Sequence, residues 1–459
     1  MSNPTTTASE FGDQKAVTPV ARLDRLPTGG IHVFWAVLLG IAYVVETFDN
    51  TVFSYTAPTI MAEWGLDLAQ VGLITSAVFI GMFIGAVFGG RLADWVGRKP
   101  VLIWASIFYS LMSLMSALAP NFEVLFWSRV LTGVGVQAAT GVVIVYLSEM
   151  FPRATRGRFF TIVTLAGALS APATAFLARA IVPQGLDAWR WMFVIGTVGI
   201  VVAIAVAFGL PESVRWLATH NRVAKAEVVL ARIERRAEAR GPLPPVEAEE
   251  VAVAAQQGSF RDLFKAIYVR RLLVLGSSFF LLVFGLYGFQ AWLTTILVQR
   301  GLAQADALSI VSIAALGSVT GPVLLFAFAD RIERRTALLI EGSVAAIGVI
   351  LFSLSDGSPV LTVISAFVVF AAVMAATTTW YTYMPEAFPT SVRGIAAGTV
   401  SGIGRVAGIL QGILMAAMLQ NIGETTTMYV LAGIFVAMGL LALLGPRATR
   451  RSLEEISHA

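Results

Sequence analysis

Cysteine is missing altogether from the 459 residues, which excludes a disulfide framework, a thiol nucleophile and any cysteine-based metal site. Histidine is nearly missing. His32, His220 and His458 stand in tails, loops or span edges, and no nucleophile–base or metal-ligand spacing forms around them. Enzyme activity therefore has no support, and neither a cofactor nor a metal is expected. Charge is scarce as well: Asp, Glu, Lys and Arg make up 13% of the chain, against about 25% in soluble domains. Residues 1–30 are polar and lack a short apolar stretch ahead of a small-residue cleavage site. No removed leader is expected, and the first apolar run reads as a retained span.

Apolar residues are abundant, at 57% of the chain, with a mean hydropathy of +0.79. Segments near twenty residues long recur at 33–60, 70–90, 100–119, 123–147, 159–181 and 190–209. A second set follows at 269–298, 305–328, 336–354, 359–383, 395–419 and 425–444. Each matches the ~20 residues that carry a helix across ~30 Å of hydrocarbon. The alternation of membrane strands is absent and lipid cannot satisfy open backbone, so all twelve read as helices of an all-α membrane protein.

Lys and Arg set the sidedness. With the N-terminus inside, 27 of the 32 basic residues fall on one side, leaving Arg129, Arg179, Arg190, Arg300 and Arg405 elsewhere. That bias puts both termini in the cytoplasm and the chain in the cytoplasmic (inner) membrane. The organisation expected is a cytoplasmic tail at 1–32, a six-helix bundle at 33–209, a linker at 210–268, a second six-helix bundle at 269–444 and a tail at 445–459. In the linker, residues 219–240 carry Val223, Val228, Leu230 and Ile233 among charges and read as an amphipathic helix. The "GPLPP" run at 241–245 then breaks it.

The two halves repeat. "SEMFPRATRG" (148–157) recurs as "PEAFPTSVRG" (385–394), with Glu149 and Glu386 237 positions apart. "LADWVGRKPVL" (92–102) recurs as "FADRIERRTAL" (328–338), with Asp94 to Asp330 and Arg98 to Arg334 each spaced by 236. Duplicated six-helix units in parallel put a binding site at the midplane between two rocking halves. This is a transporter architecture.

These residues resemble a known family. "GGRLADWVGRKPVL", with Gly90, Asp94, Gly97, Arg98 and Lys99, is similar to the loop between the second and third helices of the major facilitator superfamily. "RVLTGVGVQAATGVVIVYLSEMFPRATRGR" (129–158), "PESVRWL" (211–217) and "PEAFPTSVRG" resemble its sugar-porter and organic-ion branches. The seventh span, "VFGLYGFQAWLTTIL" (283–297), has Gln290 alone where sugar porters carry a Gln-Gln…Asn cluster. It looks more like niacin-type and organic-anion transporters, and "GRVAGIL" (404–410) resembles their eleventh helix, where an arginine is implicated with anionic substrates. The fifth-span "GALSAPATA" puts Ala171 before Pro172 and so departs from the Gly-x-x-x-Gly-Pro of drug exporters.

Charges inside the spans then single themselves out, because each costs ~2.5–3.5 kcal/mol at a helix centre. Asp49 lies roughly 13 Å below Pro58, read as the outer end of the first span, and Arg129 roughly 9 Å into the fourth, at 1.5 Å per residue. The depths agree within a turn, which makes an ion pair feasible. Sugar-porter resemblance implies that this pair couples proton movement to transport; the alternative is a static salt bridge. Glu46, one turn earlier on the same face, is either a second proton site or a hydrogen-bonding group in the cavity, since two nearby carboxylates resist double ionisation. Arg405, ~15 Å from the cytoplasmic side, is placed to grip a carboxylate, guanidinium being suited to bidentate contact. Otherwise it bridges to Glu46 or Asp49. Arg179 and Glu341 are read as span-end groups that snorkel or pair locally.

Tyr287, Gln290 and Trp292 on the seventh span, Trp380, Tyr381 and Tyr383 on the tenth and Gln137 on the fourth complete the expected pocket, as groups that stack on rings and orient polar atoms. At the cytoplasmic face, Asp94, Arg98, Glu149, Arg156, Asp330, Arg334, Glu386 and Arg393 recur in both halves. The resemblance implies salt bridges there that latch the halves when the protein opens outward. The expected function is proton-coupled import of a small organic anion such as nicotinate. A sugar or polyol symporter, an organic-cation carrier using Glu46 and Asp49, and a non-transporting sensor are the alternatives. Expected partners are the substrate, protons and the bilayer, with no nucleic acid, for a monomer.

Overall fold

The computed structural model describes residues 18–239, 241–246, 263, 265–326 and 331–447. Among these the chain is helical and has no strand, with twelve stretches long and apolar enough to span a membrane. A short helix α1 (Pro19–Asp24) precedes the first span, α2 (Gly30–Trp64). The second to fifth spans are α3 (Leu68–Val96), α4 (Arg98–Ala117), α5 (Phe122–Met150) and α6 (Arg156–Ile181). The sixth is divided into α7 (Trp189–Gly196) and α8 (Val198–Gly209). Two helices of the polar segment follow, α9 (Val214–Thr219) and α10 (Val223–Glu238).

The seventh span is α11 (Ala266–Gln290), continued beyond a break at Ala291–Trp292 by α12 (Leu293–Gln299). The eighth is divided into α13 (Gln304–Ala315) and α14 (Gly317–Phe326). The last four spans are α15 (Arg334–Ser353), α16 (Pro359–Glu386), α17 (Thr390–Asn421) and α18 (Gly423–Leu443).

Local sequence explains the boundaries. Pro58 does not end the first span, as the sequence reading had it; α2 runs through it to Trp64 and stops at Gly65, whose φ of 64° is the left-handed conformation of a helix C-terminus. Asp67 and Gln70 then cap α3 reciprocally, at 2.7 and 3.1 Å. In the linker, α10 buries Ala226, Leu230 and Ile233, which fall on one stripe at i, i+4 and i+7. Val228, expected on that face, is off the stripe and exposed, whereas Val223 is on the stripe but exposed as the first residue of the helix. The helix itself ends at Glu238, ahead of the Gly241–Pro245 run.

Matching corners tie each bundle. Glu63 at the end of α2 accepts from Arg190 (3.2 Å) and from the Trp189 indole at the start of the sixth span. In the second half Arg300 pairs with Glu424 across the ends of the seventh and twelfth spans. Arg300 stands 237 positions after Glu63, the interval of the sequence repeat, so the same corner is tied with the charges exchanged.

Charge also docks the N-terminal helix. Arg22 reaches Glu227 (2.7 Å) and Glu234 (2.5 Å), Arg25 reaches Glu234 (3.0 Å), and Asp24 pairs with Arg215 (2.7 Å) and Arg156 (3.4 Å). Burial pushes the Glu234 carboxyl up, but the hydrogen bonds from Arg22 and Arg25 outweigh it and hold the group below its ordinary range. A depressed carboxyl stabilises the docked form fully above its unfolded value, about 4.3, and less as the pH falls through the lower folded value. Hydrogen exchange of α1 should therefore show protection at pH 7 that is lost below about pH 4; protection unchanged down to pH 3 contradicts the account.

The two bundles meet at the end away from the chain termini. A Cβ on Gly72 of α3 would strike the Gly412 carbonyl of α17, so the two backbones touch. Ser76 donates to the Ile409 carbonyl (2.6 Å), Gln304 to Tyr55 (3.3 Å) and Ser318 to Ala168 (3.4 Å). Among the described residues, every hydrogen bond between the bundles lies at the middle of the spans or beyond it on this side. At the opposite end Gly90 of α3 and Gly398 and Gly402 of α17 have open space beside them, and the bundles part. Gly72→Leu should keep the far end from closing. A cysteine placed at Ser54, the only one in the chain, should then react faster with an impermeant maleimide added from that side, whereas an unchanged rate contradicts this closure.

Candidate functional site

Asp49 and Arg129 come together in a dry setting, both wholly buried. Arg129 Nη1 stands 3.7 Å from Asp49 Oδ1, while Nη2 donates to the Asp49 main-chain carbonyl at 2.5 Å. Ser113 of α4 donates to Oδ1 at 2.8 Å, and Oδ2 has no hydrogen-bond partner. Gly196 at the end of α7 permits the approach, since a Cβ there would strike Ser113 Oγ. The guanidinium lies 5.5 Å from the Phe193 ring centroid, and its Nε and Nη1 have no hydrogen-bond partner. A buried pair with such loose geometry is held by the absence of alternatives: without arginine the carboxylate would be an uncompensated buried charge. Protonation of the carboxylate would remove that charge, while the Nη2 bond to the main-chain carbonyl does not depend on it.

Glu46 faces elsewhere. Thr140 of α5 donates to its Oε2 at 2.8 Å, and Oε1 is buried without a partner. No hydrogen bond joins it to Asp49.

Nearer the interface between bundles, Tyr43 stands in the neighbourhood of Glu46, Tyr287, Tyr381 and Arg405. Arg405 is partly buried, and its Nη1 donates to Met82 Sδ at 3.9 Å. Among the described residues no carboxylate lies within 4 Å of it, so the expected alternative bridge to Glu46 or Asp49 is not formed. Tyr381 is 58% exposed and packs edge-on against Trp380, which stacks on Phe279 at 3.9 Å. A cavity of about 30 Å³ lies between the bundles, lined by Asn50, Phe79, Tyr287 and Gln290 among others. Asn50 Oδ1 and Gln290 Nε2 have no partner, and the space suits one water or a single polar group. Phe79 closes it, its ring 4.6 Å from Tyr287 and pressed against Gly408.

Several expected pocket residues lie outside this site. Tyr383 donates to the Pro446 carbonyl at 2.6 Å and is buried at the end carrying the termini. Trp292 fills the packing of the second bundle at the α11–α12 break. Gln137 sits against Gly85 of α3, its buried Oε1 unpartnered. Glu341, read as a span-end group, is buried two turns inside α15, where Thr379 donates to it at 2.7 Å. Arg179 is exposed in the last turn of α6, as a span-end group should be.

The repeated charges form pairs within each half. Arg98 binds Asp94 (3.0 Å) and Glu149 (2.8 Å), and Arg334 approaches Glu386 at 3.5 Å. Arg156 and Arg393 each donate to the carbonyl five residues back, Phe151 and Phe388, at 3.4 Å. Asp330 lies outside the described residues. Among those described, none of these pairs joins the halves, because the bundles have parted at this end; the latch expected from the sequence is not made in this conformation.

With this geometry in view, the sequence profile described as "Sugar (and other) transporter" matches residues 29–459. The chain belongs to that family of the major facilitator superfamily. This multi-pass membrane transporter of small molecules is 30% identical over 435 residues to the "Putative metabolite transport protein YyaJ" of Bacillus subtilis (strain 168), covering 94% of this chain and 96% of the relative. It is 29% identical to the "Niacin transporter NiaP" of Acinetobacter baylyi (strain ATCC 33305 / BD413 / ADP1), over 95% of this chain and 99% of that one. Its fold matches a crystal structure of the D-xylose-proton symporter with a TM-score of 0.74 at 17% identity, over 91% of this transporter and 99% of that chain.

Sequence reasoning missed Tyr43, Asn50, Phe79, Ser113 and Thr140. Tyr43, Glu46 and Asn50 recur at i, i+3 and i+7, the stripe of one helix face. That periodicity was a usable signal for the first two.

Proposed function

We propose that this transporter carries a small organic anion, an aromatic or pyridine monocarboxylate such as nicotinate, into the cell together with protons. The carrying observation is Arg405: a partly buried guanidinium with no carboxylate within 4 Å among the described residues, and with Tyr43 and Tyr381 in its neighbourhood. A cation kept in a membrane interior without a counter-charge is suited to receive one from its ligand, and the tyrosines offer ring faces and hydroxyls to a planar acid. Similarity to a niacin transporter supports the same substrate class.

In this reading both termini are cytoplasmic and the bundles at 33–209 and 269–444 rock about the site in the inner membrane, in a monomer. Asp49 takes a proton when access frees it from Arg129, and returns it when the arginine closes on it again. Glu46, held by Thr140, tunes that exchange, so that one proton moves with each anion. The charges around Asp94, Arg98, Glu149, Arg156, Asp330, Arg334, Glu386 and Arg393 latch the halves when the bundles close on the cytoplasmic side. A sugar or polyol symporter is the second reading, favoured by the unpartnered amides of Asn50 and Gln290, which suit hydroxyls.

Competition against labelled nicotinate in proteoliposomes separates the two readings. Benzoate and other planar monocarboxylates should compete, and nicotinamide and xylose should not. Competition by xylose but not benzoate would sink the anion assignment.

A further inference from the structure

A cleft of about 640 Å³ opens between the start of the first span and the end of α10, far from the substrate site. Hydrogen-bond donors converge on it. Arg236 is exposed on α10, and among the described residues no carboxylate lies within 4 Å of it. Gly30 and Ile31 begin a helix of 35 residues, and the first-turn N–H groups of a helix have no carbonyl within it to bond. His32 is 1% exposed and lines the cleft. Its Nδ1 accepts from the Gly29 N–H at 3.2 Å, which leaves the ring proton on Nε2, and that atom has no partner.

The surroundings are those of an amphiphile. Among the described residues no carboxylate lines the cleft. Phe34 borders it, and Val33, Phe34, Val37 and Ile41 are exposed along the same helix, the face a membrane span turns to lipid. A ligand here would have its head among donors at the membrane boundary and its chains against that apolar face.

We propose that this cleft is a binding site for an anionic phospholipid. Its phosphate sits at the N–H groups of Gly30 and Ile31, the first-turn donors not bonded to the Gly29 carbonyl, where the helix dipole favours an anion. Arg236 supplies the charge-assisted contact, His32 Nε2 donates from the inner wall, and one acyl chain follows Phe34 into the bilayer.

The test is a titration of the purified transporter with phosphatidylglycerol and with phosphatidylcholine, read by native mass spectrometry, for the wild type, Arg236→Gln and Arg232→Gln. Arg232 is exposed on the same helix but does not line the cleft, so its loss controls for general charge. Phosphatidylglycerol should bind in preference to phosphatidylcholine. Arg236→Gln should weaken it about tenfold, the order expected of one charge-assisted bond, and Arg232→Gln should leave it unchanged. Equal losses in both variants would overturn the site, as would a wild type with no preference between the lipids. Competition by soluble glycerol 3-phosphate as strong as by the lipid would overturn the lipid assignment in favour of a free anion.

Discussion

Asp49→Asn abolishes accumulation of substrate against its gradient while exchange of internal for external substrate continues. A monoanion moving with one proton carries no net charge. A pH difference of one unit then sustains about tenfold accumulation, one pH unit being 1.36 kcal/mol. Asparagine has the shape of a protonated aspartate and keeps an acceptor for Ser113, so the variant should rock with substrate bound but cannot load or release the proton. Its internal concentration should stop at the external one. Accumulation persisting in Asp49→Asn but lost in Glu46→Gln would move the proton site one turn along α2, to the carboxyl whose Oε1 is unpartnered.

Arg405→Ala should weaken nicotinate recognition by about 1.5–3 kcal/mol, the span for hydrogen bonds to charged groups, or roughly tenfold to more than a hundredfold in apparent affinity. Arg405→Lys keeps the charge and loses the planar fork, so it should fall between the wild type and alanine. The neutral amide of the same ring discriminates further: nicotinamide should bind the wild type poorly and gain nothing from lysine. Nicotinate affinity unchanged in Arg405→Ala would remove arginine from the site and leave Tyr43, Asn50, Tyr287 and Gln290 as the recognition surface of a neutral ligand.

The proximity of Asp49 and Arg129 was legible in the sequence because hydrocarbon forbids a lone charge and a helix rises by a fixed step, so depth could be compared between spans. The mid-span depth of Arg405 follows from the same count of residues. Neutral partners carry no such penalty. Ser113 and Thr140 are ordinary hydroxyls until folding sets α4 and α5 beside α2, and Asn50 gains meaning only when Gln290 of the other bundle faces the same cavity. Aromatics mislead for the opposite reason: Trp292 and Tyr383 look like pocket residues on a helix drawn alone, yet packing claims the first and a carbonyl the second. Glu341 was misplaced because its depth was judged from an apolar run, whereas α15 begins at Arg334 and carries it two turns inside. Which end of the molecule is open was not legible, since both states of a rocking carrier share one sequence.

Proton-coupled carriage of an organic anion is tested most directly by uptake of labelled nicotinate into proteoliposomes under two separately imposed forces. With the exterior one pH unit more acidic and no membrane potential, internal nicotinate should rise about tenfold above external. With a potassium diffusion potential and equal pH, it should only equilibrate. Accumulation driven by the potential alone, or uptake indifferent to the pH difference, would contradict the account.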